Sequence, residues 1–159
     1  MLRLKSKRTG KNESIIHPWE VGFYENLILK ENFQLDQEEV RQYFEFNNVT
    51  EGLFTIYQEL FNITFKKVYQ PSVWHEDVLM YEVFDKISTE LIGRFYLDMF
   101  PRANKYGHAA AFSVTIGKMT KSGYTKPTMA LVCNFPKPTE YQPSLLTHDD
   151  VETYFHEFG

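Results

Sequence analysis

The hydrophobic period changes twice along this chain, and that change restricts the fold more than any other feature. The first third repeats apolar residues at helical spacing. Residues 21–32 (VGFYENLILKEN) carry Phe23 and Leu27 among mixed charges. Residues 35–46 (LDQEEVRQYFEF) place Asp36 as an N-cap with Glu39 three positions on, followed by the stripe Val40, Tyr43 and Phe44. Residues 49–61 (VTEGLFTIYQELF) put Leu53, Phe54, Tyr57, Leu60 and Phe61 on one helical face. Thr50 is the expected N-cap there, with Val49 and Phe54 as a hydrophobic staple. The middle then switches to short β-branched and aromatic runs. VLMYEVF (78–84) and IGRFYLDMF (92–100) flank a hairpin loop. AAFSVTI (110–116) and TMALVCNF (128–135) form a second pair, joined by the loop GKMTKSGYTKP.

Helical spacing returns only at the end. Pro136, Pro138 and Pro143 mark an irregular linker. Thr147 then stands as N-cap with Asp150 three residues on, and Leu146 and Val151 at staple positions. Asp149, Asp150 and Glu152 lie where the helix dipole favours negative charge. Val151, Tyr154, Phe155 and Phe158 make the apolar stripe, leaving His156 and Glu157 off it. The expected class is α+β, one domain over residues 1–159. It is helical over 13–70, with a small, mainly antiparallel sheet over 77–135, a linker over 136–146 and a final helix over 147–159.

Composition narrows the function classes. The net charge of −4 argues against nucleic acid as a partner. No run of about 18 apolar residues is present, so no membrane span is expected. Cys133 is the single cysteine, which rules out an internal disulfide and reads as a buried strand residue. The first eleven residues hold Arg3, Lys5, Lys7, Arg8 and Lys11 without an acid. Leu2 and Leu4 give too little apolar surface for an amphipathic presequence, so the segment reads as solvated. No secretory signal follows it. The sequons at Asn12, Asn48 and Asn62 therefore read as chance matches.

The chain ends on His156-Glu157-Phe158-Gly159. In H-E-x-x-H, two His one helical turn apart bind one zinc ion, and the intervening Glu accepts the proton of the attacking water. Here the second His would be residue 160. By spacing alone, an incomplete zinc motif and an ordinary helix end are both open. A rival ligand trio on one helix face is His148, Glu152 and His156, which also fits solvated i,i+4 contacts. His75-Glu76 fails the motif, because Leu79 stands where the second His belongs, and His75 reads as a polar residue at a loop–strand junction.

Longer segments decide between these readings. HDDVETYFHEFG resembles the active-site helix of the thimet oligopeptidase and neurolysin family of zinc oligopeptidases. So do RLKSKRTGKNESIIHPWE, TIYQELF, WHEDVLMYEV, GRFYLDMFPRANKYGHAAAF and NFPKPTEYQPSLLTHDDVE, in order from Leu2 to Gly159. The resemblance implies a mostly helical zincin-type peptidase with a narrow channel, a small sheet near the active site, and short peptides as substrates. It implies His156 as a zinc ligand and Glu157 as the catalytic acid/base. The family's second His and its Glu ligand lie downstream, so the chain is expected to be an internal fragment, inactive alone.

Zincins pair an edge strand with the peptide backbone. TMALVCNF, directly before the zinc helix, is expected to do so through Ala130, Leu131, Val132 and Cys133. The alternative is an interior strand without substrate contact. His108 is assigned no role. A second functional reading is a non-catalytic remnant that binds peptides or a partner. The resemblance, with no secretory signal in view, implies a cytoplasmic or mitochondrial location and leaves the oligomeric state open.

Overall fold

The computed structural model describes residues 1–12 and 14–159. Glu13, which opens the region expected to be helical and lies in the first sequon, falls outside them. The chain divides into two compact units, Met1–Tyr43 and Phe44–Gly159.

In the first unit the basic N-terminus is a helix, α1 (Leu2–Thr9), closed by Gly10 in the left-handed region at φ 70°. The segment is therefore not simply solvated. Lys5 is buried, and its Nζ donates to Glu20 Oε2 at 2.8 Å and to the Ile15 carbonyl at 3.1 Å. A buried ammonium needs such partners to replace its lost hydration. Helix α2 (Val21–Phe33) occupies its expected segment and stops at Gln34, where φ is 55°. Asp36 caps α3 (Gln37–Val40) as expected, its carboxylate accepting from Glu38 N at 3.1 Å. Helix α3 ends after one turn, and Arg41–Tyr43 winds as a 3₁₀ turn.

The expected helix over 35–46 is cut by a pairing distant in sequence. Phe46 N donates to the Ser144 carbonyl at 2.9 Å and Leu146 N to the Phe44 carbonyl at 2.8 Å, around an antiparallel bridge between Glu45 and Leu145. This bridge resets the next helix. Helix α4 (Phe46–Phe61) begins four residues before the expected cap, with the Glu45 carboxylate accepting from Asn48 N at 3.0 Å. Thr50 is not the N-cap. It is buried in the second turn and donates to the Phe46 carbonyl at 2.7 Å. Val49 lies inside α4, so the staple with Phe54 does not form.

The helical region ends at Phe61, not at residue 70. Asn62 takes φ 53°, and the chain turns into strand β1 (Ile63–Lys67), which the sequence reading had left within the helical stretch. Strands β2 (Leu79–Asp85) and β3 (Leu91–Asp98) follow as the expected hairpin. Strands β4 (Ala110–Thr115) and β7 (Thr128–Val132) form the second antiparallel pair. The loop between them is itself a small hairpin, β5 (Lys118–Thr120) with β6 (Gly123–Thr125).

The larger sheet has the order β1-β2-β3-β7-β4 and is antiparallel except where β3 meets β7. This corrects the expectation for residues 130–133. Strand β7 pairs with β3 on one side and β4 on the other, so Ala130, Leu131 and Val132 lie in an interior strand. Cys133 extends that pairing, its N–H donating to the Asp98 carbonyl at 2.9 Å. The edges of the sheet are β1 and β4.

Helix α5 (His148–Phe158) starts as expected, with a full capping box. Asp150 N donates to Thr147 Oγ1 at 3.1 Å and Thr147 N to Asp150 Oδ2 at 2.9 Å. Its stripe joins a core of Phe46, Leu53, Leu97, Leu131, Cys133, Phe135, Leu146 and Tyr154. No helix among the described residues is long and apolar enough to cross a membrane.

Candidate active site

Three contacts fix α5 so that its outer turn carries His156 and Glu157. Tyr154 is fully buried, and its hydroxyl stands 3.3 Å from Thr50 Oγ1. Thr50 already gives its proton to the Phe46 carbonyl, so Tyr154 is the donor. Burial pushes the Tyr154 phenol well above its ordinary pKa, with the Thr50 hydrogen bond opposing the shift. Next, Phe158 packs edge-on against Phe95 at 5.3 Å between ring centroids, and against Tyr57 at 4.9 Å. Finally, Tyr57 Oη donates to the Phe155 carbonyl at 3.4 Å, which also accepts from Gly159 N at 3.1 Å. A Cβ on residue 159 would stand 2.7 Å from Tyr57 Oη, so glycine is what lets α4 close on the last turn of α5.

The stripe thus turns into the core and leaves the two candidate residues off it, in different settings. His156 is exposed. Glu157 is half-buried and lines a cavity of about 390 Å³ between α4, α5 and the sheet, together with Phe61, Arg94, Ala111, Met129 and Phe158. The walls are mainly apolar. Ala111 belongs to edge strand β4, which packs beside α5. Cys133 lies under the same helix. Its thiol is pushed up to about 12, first by burial and then by the negative charge of Glu157.

A buried ion-pair network holds the sheet beneath the helix. Arg102 grips Asp98 with two hydrogen bonds of 2.6 and 2.8 Å, and Trp74 Nε1 donates to the same carboxylate at 2.8 Å. Lys105 Nζ lies 3.0 Å from Asp98 Oδ1 and donates to the carbonyls of Asp98, Phe100 and Cys133 at 2.9, 2.6 and 2.6 Å. Burial alone would raise the Asp98 pKa. The bonds from Arg102, Trp74 and Lys105 outweigh it and hold the carboxyl at about 2. The network clamps the end of β3 to the end of β7, from which the chain runs on through the linker to α5.

The remaining sequence candidates separate. The trio His148, Glu152 and His156 does not assemble. The cluster found among the described residues is His148, Asp149 and Glu152, all exposed, with His148 Nδ1 3.9 Å from Glu152 Oε1. His75 is the expected polar junction residue, its Nδ1 accepting from Asp77 N at 3.2 Å. His108 is exposed, its ring 5.8 Å from Tyr106. Sequence reasoning missed Tyr57 and the Asp98 network as supports of the helix.

The profile of peptidase family M3 matches residues 1–159, and the chain belongs to that family. It is 46% identical over 147 residues to the thimet-like oligopeptidase of Dictyostelium discoideum, covering 90% of this chain and 22% of that protein. It is 41% identical to saccharolysin of Saccharomyces cerevisiae, covering 89% and 21%. It is 38% identical to oligopeptidase A of Escherichia coli, covering 91% and 21%. The chain therefore spans about a fifth of the length of these relatives.

Proposed function

We propose that this chain supplies the first metal ligand, His156, and the acid/base, Glu157, of a zinc oligopeptidase acting on short peptides. The observation that carries the reading is the adjacent pair on α5, His156 exposed and Glu157 lining an apolar cavity that reaches the free edge of the sheet. The donor set fits zinc in kind. An exposed imidazole is a good zinc ligand, and an adjacent carboxylate suits proton transfer. When bound, zinc supplies a Lewis acid that polarises the scissile carbonyl and makes water a better nucleophile at neutral pH. Glu157 accepts the proton of the attacking water and passes it to the leaving amine, so that the amine departs neutral. The apolar wall around Glu157 keeps bulk water away and strengthens its interaction with developing charge.

The peptide is held along β4. The β1 edge is blunted, because the outward Phe65 N–H already donates to Gln58 Oε1 at 2.8 Å. Among the described residues strand β4 pairs with β7 alone, so its outer side is open to an added strand.

A catalytic zinc takes three protein ligands. The cluster of three potential ligands among the described residues does not include His156. The chain alone therefore binds zinc weakly at this site and turns over no peptide. A fluorogenic short-peptide assay with added zinc tests this. No signal is expected, and chelator-sensitive turnover by these residues alone overturns the divided site.

A further inference from the structure

Residues 99–139 contain six Lys or Arg and no Asp or Glu, in a chain whose net charge is −4. Half of those cations are neutralised within the fold. Arg102 and Lys105 face Asp98, and Lys137 pairs with Asp77 at 2.6 Å. The other three are Lys118, Lys121 and Lys126. All lie on the β5–β6 hairpin or its exit, and none has an acidic partner among the described residues. Lys118 and Lys121 are exposed, and Lys126 Nζ sits 5.5 Å from the Tyr124 ring centre. The uncompensated positive charge of this segment is thus gathered on one small hairpin.

That hairpin leaves the C-terminal end of β4, the sheet edge that lies open. Its attachment is tight. A side chain on Gly117 would meet the Tyr124 hydroxyl and lie 3.3 Å from Pro127, so Gly117 lets the hairpin close against the strand end. Exposed apolar residues run along the same path, with Phe112 at 44%, Val114 at 55%, Ile116 at 72% and Met119 at 77% exposure. An added strand finds apolar side chains beside it and cations at one end.

We propose that the β4 edge and the β5–β6 hairpin together select extended peptides bearing Asp or Glu side chains. The edge supplies backbone hydrogen bonds, and Lys118, Lys121 and Lys126 supply the charge preference. The inference rests on reading β4 as the strand along which the peptide lies. Geometry sets the position of the acid. Glu157 borders β4 at Ala111, and the strand runs four residues further to Thr115 before the lysines begin. At about 3.4 Å per residue this is roughly 14 Å. The acidic side chain therefore sits about four or more residues from the bond that faces Glu157.

Fluorescence anisotropy of labelled, end-blocked short peptides tests the proposal on the 159-residue chain. The probes alternate valine with glutamate, glutamine or lysine, and blocked ends remove the terminal carboxylate as a source of charge. The glutamate peptide is expected to bind about tenfold tighter than the glutamine one, with the gap shrinking as salt rises. A combined Lys118→Glu, Lys121→Glu and Lys126→Glu variant, checked for native circular dichroism, is expected to prefer the lysine peptide. Val114→Pro is expected to weaken all three by blocking strand addition. Equal binding of the glutamate and glutamine peptides overturns the proposal. So does a preference unchanged by charge reversal, or failure of every peptide to bind. The assay contains no metal and reads no cleavage, so its failure is distinct from failure of the peptidase reading.

Discussion

Asp98 shows what single side chains contribute here. Its side chain is 4% exposed, yet the carboxyl is held at about 2 because Arg102, Trp74 and Lys105 all donate to it. In the unfolded chain the same group titrates near 3.9. The folded value is the lower, so the network stabilises fully above about pH 4 and loses that contribution as pH falls through about 2. The difference corresponds to roughly 2–3 kcal/mol. Urea midpoints measured from neutral pH downward are therefore expected to drop below about pH 4. Asp98→Asn is expected to start lower and to flatten the drop, and a variant with an unchanged acid limb contradicts the assignment. Lys105 makes the same point from the other charge. It is an ammonium with 3% exposure, tolerated because it donates to three carbonyls and pairs with a carboxylate. Nothing in local spacing announced that DMFPRANK would fold back on itself in this way.

At the scale of elements, the clearest signals in the sequence were those that act within one turn. Thr147 and Asp150 cap α5 as their spacing demands, and the stripe of Val151, Tyr154, Phe155 and Phe158 turns into the core, which leaves His156 and Glu157 off it. Thr147→Ala is expected to cost about 1 kcal/mol in chemical denaturation and Thr147→Ser to restore most of it. No change on losing the hydroxyl contradicts the capping role. Elements fixed by distant partners were not legible. The start of α4 is set by the bridge of Glu45 to Leu145, a hundred residues away, which overrides the local appeal of Thr50 as a cap. Strand β1 was hidden because its partner β2 lies beyond a loop and its period is short. The place of β7 between β3 and β4 follows from a parallel pairing that no local pattern encodes, so the edge passed from β7 to β4.

On the scale of the whole molecule, the chain belongs to peptidase family M3 and spans about a fifth of the length of the relatives it matches. The pair His156 and Glu157, to which we assign the chemistry, its supporting core and a free strand edge all belong to the unit Phe44–Gly159. The central claim is that Glu157 and His156 are functional when the rest of such an enzyme surrounds them. The direct measurement is a chimera in which these residues replace the matching segment of Escherichia coli oligopeptidase A, assayed on a fluorogenic short peptide with and without a metal chelator. The account predicts chelator-sensitive turnover, a loss of about a hundredfold or more on Glu157→Gln, and loss of metal on His156→Ala. Turnover that is indifferent to Glu157 would contradict it.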